Sequence, residues 1–349
     1  MIRAGVVAAA VVAVVAAAAP VAATGSDAGF VTGAARPPQP AVASPQPAVA
    51  KAARPVVGSG TPGSCTSRAV VRAVARGGVI TFDCGPGPVT IPMERTAKVV
   101  NTSSQVVLDG GGRVTLSGQG ERRILYMNTC DRAQTWTTSH CDDQAQPRLV
   151  VKRMRFVDGN ATGERTDGGG GGAIFARGGR LKILDSTFVD NRCDRTGPDV
   201  GGGAVRVLDQ HRDAPVVVRR STFTGGRCSN GSALSSIGVS WRISSSTFTG
   251  NRAIGRGANP ARPGTPGGGS GGAIYVDGNA IRLDLADSTL TGNRAREGGG
   301  AIFFVSNDRT GTMTIDGSRL TDNPSAGFET LPGIFFLGSR RTITDSVVR

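Results

Sequence analysis

Histidine, lysine and aromatic residues are scarce in this chain, and each shortage narrows what it can do. The only histidines are His140 and His211, which excludes a metal site built from several imidazoles. No CxxC pair suggests zinc either. Aromatics make up 5% of the residues, so any local concentration of them is informative. Of 40 Lys and Arg, only Lys51, Lys98, Lys152 and Lys182 are lysine, and Ala, Gly and Val are abundant, as a GC-rich genome would give. Arginine is spread evenly along the chain, so the net charge of +14 predicts no nucleic-acid partner. Outside a cell such a surface would favour an acidic polysaccharide or a cell-wall polymer.

Cysteine is absent before residue 65. The chain begins instead with Arg3, an almost pure Val/Ala stretch from Gly5 to Ala19, Pro20, and the small-residue site Val21-Ala22-Ala23. Residues 1–23 read as a secretory signal with an A-x-A type of cleavage site. The rival is a retained anchor, but a spanning helix needs about 20 apolar residues and this stretch is mostly weakly hydrophobic Ala. After cleavage no transmembrane anchor is expected. Residues 24–63 hold a Pro/Ala run (Arg36-Pro37-Pro38-Gln39-Pro40, Ser44-Pro45-Gln46-Pro47) and no aromatic after Phe30, the composition of a linker. Residues 64–349 remain for one domain. Its six cysteines, an even number in an exported chain, predict disulfides.

Two short strings alternate along that domain. One is Gly-Gly-Ala-apolar, at Gly171 to Ile174, Gly202 to Val205, Gly271 to Ile274 and Gly299 to Ile302, with a degenerate copy at Gly231 to Leu234 and a weaker one at Gly333 to Phe336. The other is Ser-Thr-Phe-x-x-Asn, at Ser186 to Asn191 and Ser246 to Asn251. Leu replaces Phe in Ser288 to Asn293 and Ser318 to Asn323, Ser221-Thr222-Phe223 has Gly226 for Asn, and Phe156 reaches Asn160 one residue late. The Phe/Leu positions 156, 188, 223, 248, 290 and 320 are 32, 35, 25, 42 and 30 residues apart. Before each, apolar residues alternate with mostly polar ones: Leu149/Val151, Leu181/Ile183, Val216/Val218, Trp241/Ile243, Leu283/Leu285 and Met313/Ile315. Period two is half-buried strand patterning, not a helical repeat. Short strands, Gly-rich turns and a variable pitch predict an all-β solenoid, a right-handed parallel β-helix. Insertions such as 254–270 are then surface loops.

Stacking turns equivalent positions into columns about 4.8 Å apart per coil. Asn191, Asn251, Asn293 and Asn323 become a structural ladder at a turn, since Asn tolerates left-handed backbone and bonds neighbouring amides. Cys193 and Cys228, each five residues after their Phe, fall on neighbouring coils within disulfide reach. Cys130–Cys141 would close an excursion, and Cys65–Cys84 would staple an N-terminal cap. In that cap Thr66 or Ser67 starts a short helix carrying Val70, Val71 and Val74, and Gly77-Gly78 ends it. Strands are expected at Val79 to Phe82, Val89 to Ile91, Val106 to Leu108 and Val114 to Leu116, with a turn at Asp109 to Gly112.

From Phe156 to Asn323 the alternating strings resemble the paired GGA[ILV]/FxxN repeats of the polymorphic membrane proteins of chlamydiae. The N-terminal part looks like the capped start of pectin-lyase-like β-helix proteins exported by actinobacteria. The first resemblance implies a surface-exposed, often adhesive passenger. The second implies polysaccharide lyases and hydrolases, whose lyases use calcium carboxylates and an Arg or Lys base. The chain shows no C-terminal barrel domain, lipobox Cys, wall-sorting motif or hydrophobic tail, so the expectation is a released or weakly held protein, secreted or surface-associated.

The position three before each Phe reads Arg153, Asp185, Arg220, Ser245, Asp287 and Gly317, and its alternating charges predict ion pairs between coils. Asp158 and Asp190 would stack as a carboxylate pair, the weak candidates for catalysis or calcium binding; two turn aspartates are the plainer reading. No other cofactor or metal is expected. After the Gly-Gly-Ala turns, Ile174, Val205, Leu234, Ile274 and Ile302 point inward, so Phe175, Arg206, Tyr275 and Phe303 should point outward, a face on which sugars could stack; the plainer alternative is that inserted loops cover it or that the rings simply stack along the sheet. The leading expectation is a non-enzymatic surface or matrix protein that binds a glycan or other polymer. The alternatives are a lyase acting on acidic polysaccharides and a structural rod.

Overall fold

The computed structural model describes residues 54–134, 139–165 and 168–349. The signal at 1–23 and the Pro/Ala run as far as residue 53 lie outside the described residues. The end of the expected linker is already folded: Val56–Val57 is a strand paired in parallel with Gly78–Phe82, and Val57 is buried.

The architecture is a parallel β-helix. Among the described residues seventeen strands form one hydrogen-bonded sheet, eight a second and three a third. The seventeen are joined because Gln105–Ser117 and Arg148–Val157 run unbroken round a corner that later coils make with two strands. The two strands expected at 106–108 and 114–116 are therefore one. Asp109 to Gly112 is an irregularity inside it, where the register shifts between Asp109 and Val114.

The period-two reading holds along the chain. The inward pairs from Leu149/Val151 to Met313/Ile315 are all at most 1% exposed. Each stacks on its counterpart, as in Leu149↔Leu181, Trp241↔Leu283 and Leu283↔Met313. Burying such a side chain contributes roughly 1.5–3 kcal/mol, and the solenoid repeats that gain at every coil. Phe156, Phe188, Phe223 and Phe248 form a buried ring stack with centroids 5.1, 4.7 and 4.9 Å apart, continued by Leu290 and Leu320.

Two columns of left-handed residues make the corners. Arg153, Asp185, Arg220, Ser245, Asp287, Gly317 and Asp345 form one, and Asp158, Asp190, Gly225, Gly250, Gly292 and Asp322 the other, all with positive φ. Asp and Gly recur because they adopt this region at least cost. A corner breaks the strand ladder, and polar side chains replace the lost bonds. After the first corner, Ser186 donates to Leu184 O at 2.7 Å and accepts Met154 N–H, and Ser221, Ser246, Ser288, Ser318 and Ser346 repeat the pattern of donating two residues back.

After the second corner the asparagines do the same. Asn293 Nδ2 donates to Phe248 O (3.0 Å) and Asn323 Oδ1 (2.9 Å), while its Oδ1 accepts the Asn251 backbone N–H (3.1 Å) and Nδ2 (2.8 Å). The ladder breaks at Gly226, so Asn191 bonds only Gly159 N and Phe156 O. In the first coil Gly159, not Asn160, occupies the slot. The left-handed residue is the one before each Asn, so the asparagines serve as hydrogen-bond rungs and not as the bend.

The helix Ser67–Arg76 supplies the cap. Thr66 accepts the Ala69 N–H at 3.2 Å, and Gly77, at φ 73°, closes the other end. Val70, Ala73 and Val74 are buried, while Val71 is only partly so. All three expected disulfides are present, with Cα–Cα distances of 5.7 Å for Cys65–Cys84, 5.0 Å for Cys130–Cys141 and 4.8 Å for Cys193–Cys228.

Candidate functional site

The strand Ile174–Arg177 pairs with Val205–Leu208, and the column continues through Leu234–Ile237, Ile274–Gly278, Ile302–Ser306 and Ile334–Leu337. In it Phe175, Arg206, Ser235, Tyr275, Phe303 and Phe335 are in register, turned away from the solenoid core as expected. The expectation of an exposed face is corrected: Phe175, Arg206 and Tyr275 are 0% exposed and Phe303 is 2%. Each has its own cover. The Arg123 guanidinium lies 5.0 Å from the Phe175 ring. Arg206 donates to Asp199 O at 2.5 Å, and the Phe328 ring meets Phe303 edge-on at 6.3 Å. Asn259, from the long insertion, donates to the Tyr275 hydroxyl.

That insertion is held down. Its edges pair at Arg256–Gly267 and Ala258–Gly268, Gly197 N donates to Gly267 O at 3.1 Å, and buried Glu297 accepts from Gly257 N and Arg262, both at 2.8 Å. It therefore folds back over the eight-stranded sheet. On the outward side of that sheet the rings stack in two runs, Tyr126–Phe175 (5.3 Å) and Tyr275–Phe303–Phe335 (4.9 and 5.1 Å). Arg206 and Ser235 separate the runs and bond each other at 2.5 Å. Burial pulls the Arg206 pKa down to about 10, against the attraction of Tyr275, Asp199 and Asp277, so it stays a cation at neutral pH. Burial also pushes up the Tyr275 hydroxyl and the Asp277 carboxyl, which share a 3.0 Å hydrogen bond. These residues form a covered polar and aromatic seam, and no sugar-stacking surface exists there.

Asp158 and Asp190 follow Val157 and Val189, which are paired on adjacent coils. Both are exposed left-handed corner residues, and neither side chain has a hydrogen-bond or ion-pair partner among the described residues. Among those residues no group of three or more His, Cys, Asp and Glu is arranged to hold a metal ion.

The first corner column does carry ion pairs, shifted by one coil from a simple alternation. Arg153 bonds Asp109 at 2.8 and 2.5 Å, with Lys152 adding 2.9 Å, and Arg220 bonds Asp185 at 2.5 and 2.9 Å. Burial pushes the Asp109 carboxyl up, but Arg153 and Lys152 outweigh it and hold the carboxyl below its ordinary range. Arg220 holds Asp185 down in the same way.

Two surface patterns escape the sequence reading. Thr187, Thr222, Thr247 and Thr289 are in register on the long sheet, and Thr224, Thr249, Thr291 and Thr321 form a parallel column two residues on. Most are half-exposed. Around the next corner Arg192, Arg227, Arg252 and Arg294 align through the pairings 192↔227, 227↔252 and 252↔294, and all four are exposed. The signal for this column was an arginine directly after the Asn slot in four consecutive coils: Asn191-Arg192, Gly226-Arg227, Asn251-Arg252 and Asn293-Arg294.

No helix among the described residues is long and apolar enough to cross a membrane. The three disulfides fit an oxidising, extracellular location. No curated protein and no solved structure matches the chain. Residues 245–277 and 287–305 match the family described as the Chlamydia polymorphic membrane protein (Chlamydia_PMP) repeat. These residues are two of the Thr-Phe/Leu-Thr strands with the Gly-Gly-Ala strands that follow them, so the chain is a parallel β-helix carrying repeats of the polymorphic membrane protein type.

Proposed function

We propose that this chain is an exported surface or matrix protein whose β-helix binds a polymer, with a glycan favoured, and does not turn it over. The observation that carries the reading is the open strip of the long sheet, where two threonine columns repeat at the coil spacing of about 4.8 Å. Hydroxyls in register offer the same hydrogen-bond pattern at each step, and the partner suited to that is itself a repeating chain. The family match adds an adhesive, surface-exposed setting. The covered seam around Tyr275 contributes stability to this picture and no contact surface.

The test is incubation with immobilised neutral and acidic glycans, with and without calcium, following retention of the protein and ultraviolet absorbance of unsaturated products. Retention without product is the expected result, reduced when Thr222, Thr247 and Thr289 are replaced by Val. Unsaturated product that disappears in Asp190→Asn would replace this reading with a lyase. Retention on none of the glycans would leave only a structural role.

A further inference from the structure

The arginine column is at odds with how the first corner treats charge. Like charges directly opposite in neighbouring strands are unfavourable, and opposite charges stabilise the pairing. At the first corner the chain obeys this, with Asp109 against Arg153 and Asp185 against Arg220. Arg192, Arg227, Arg252 and Arg294 also occupy consecutive coils in register, yet among the described residues none makes an ion pair with a carboxylate. Arg192 is tethered to Gly120 O at 2.5 Å; among the described residues no side-chain hydrogen bond holds the other three. Four like charges thus stand in line, three of them free at their ends, beside a first corner that pairs opposite charges.

Their position adds a second observation. Arg227, Arg252 and Arg294 each lie three residues beyond Thr224, Thr249 and Thr291, across a corner of two residues. In these three coils a guanidinium on one side of the corner and a hydroxyl on the other recur together, about 4.8 Å apart along the axis; in the Arg192 coil Val189 stands in the threonine position. Guanidinium pairs bidentately with carboxylate or sulfate, and hydroxyls pair with sugar hydroxyls.

We propose that this edge is the contact line for a linear acidic glycan, whose anionic groups lie along Arg192, Arg227, Arg252 and Arg294 while its hydroxyls meet the threonine column. This rests on the polymer-binding reading above and names its ligand class and its line of contact. A polyanion bound here would replace repulsion within the column by attraction along its whole length.

The test compares Arg227→Gln/Arg252→Gln/Arg294→Gln with Arg68→Gln/Arg76→Gln/Arg340→Gln, which removes the same charge from the capping helix and the last coils. Binding of oligogalacturonate, dextran and a DNA duplex of equal charge is measured over a range of salt. The column variant should lose roughly tenfold in affinity for oligogalacturonate, with a shallower dependence on salt because fewer counterions are released. The distant variant should change by less than about twofold, since charges beyond a Debye length of about 8 Å are screened. Should the triple variant fail to fold, Arg252→Gln alone should show a smaller loss in the same direction. Equal losses in both triple variants, or none in the column variant, would overturn the proposal. DNA bound as tightly as oligogalacturonate would also overturn it, in favour of a nucleic-acid surface. Binding to dextran but not to oligogalacturonate would overturn the acidic ligand alone and leave the polymer-binding reading standing. Binding to neither would remove both.

Discussion

Replacing Asn293 by Ala tests whether the asparagine ladder is a structural necessity. Its side chain is fully buried and makes four hydrogen bonds, two donated to Phe248 O and Asn323 Oδ1 and two accepted from Asn251. Truncation strands the Asn251 backbone N–H, which no other group reaches, at about 1–3 kcal/mol for a buried unpaired donor. The remaining three bonds are lost at roughly 0.5–1.5 kcal/mol each, which sums to about 2.5–7.5 kcal/mol. Asn191 offers an internal comparison, because Gly226 removes its neighbour and leaves bonds only to Gly159 N and Phe156 O. Asn191→Ala, which strands the Gly159 N–H and loses one further bond, should therefore cost less, about 1.5–4.5 kcal/mol. Urea unfolding followed by far-ultraviolet circular dichroism gives the totals. Hydrogen exchange at the Asn251 and Gly159 amides shows whether the loss is local, as expected where each coil touches only its neighbours. Equal costs at the two positions, or a cost at Asn293 within about 0.5 kcal/mol of zero, the range of an ordinary surface substitution, would refute the ladder account.

Completing the ladder should fail: Gly226→Asn is expected to destabilise the protein in thermal melts although Asn is the repeat residue, because a Cβ there would lie 2.3 Å from Ser232 O. A raised melting temperature would show that the neighbouring turn yields. Removing the Cys193–Cys228 bridge as a double Ser variant should cost roughly 3–4 kcal/mol from the chain entropy of a crosslink spanning 35 residues; an unchanged denaturation midpoint would count against that estimate. Asp109 and Asp185 have folded-state pKa values below their ordinary range. Their contribution to stability is present above the unfolded carboxylate value of about 3.9 and is lost as pH falls through the lower folded values. Asp185→Asn should therefore lower stability modestly at neutral pH, flatten the acid limb of a stability-against-pH curve and leave stability below the folded value little changed.

What was legible in the sequence is what repeats. The pairs from Leu149/Val151 to Met313/Ile315, the Phe stack and the Cys193–Cys228 bridge follow from counting along a period, because parallel stacking converts equal positions into contacts. The corner columns were visible as residue types but not as backbone. Asp158 and Asp190 read more plainly as turn aspartates than as a carboxylate pair, and what they share is left-handed φ, which Gly225, Gly250 and Gly292 supply in other coils. The burial of Phe175, Arg206, Tyr275 and Phe303 was not legible, since the covers come from segments outside the repeat. Asn259 in the insertion, Phe328 in a late loop and Arg123 before the first Gly-Gly-Ala turn share no period with what they cover.

The arginines show the opposite failure, in which a regular feature was dismissed for its regularity. Charges 35, 25 and 42 residues apart look dispersed along the chain, and dispersion argues against a binding patch in an ordinary globular fold. In a solenoid the spacing that matters is the coil, so one charge per repeat is the arrangement that gives a continuous line. Arg153 and Arg220 recur in the same way, yet each is answered by an aspartate one coil away. Arginine frequency therefore does not separate the two edges; the residue opposite each arginine does. A composition bias toward arginine explains why the guanidiniums are many, and it does not explain why one column is neutralised by carboxylates while the other is left open beside a row of hydroxyls.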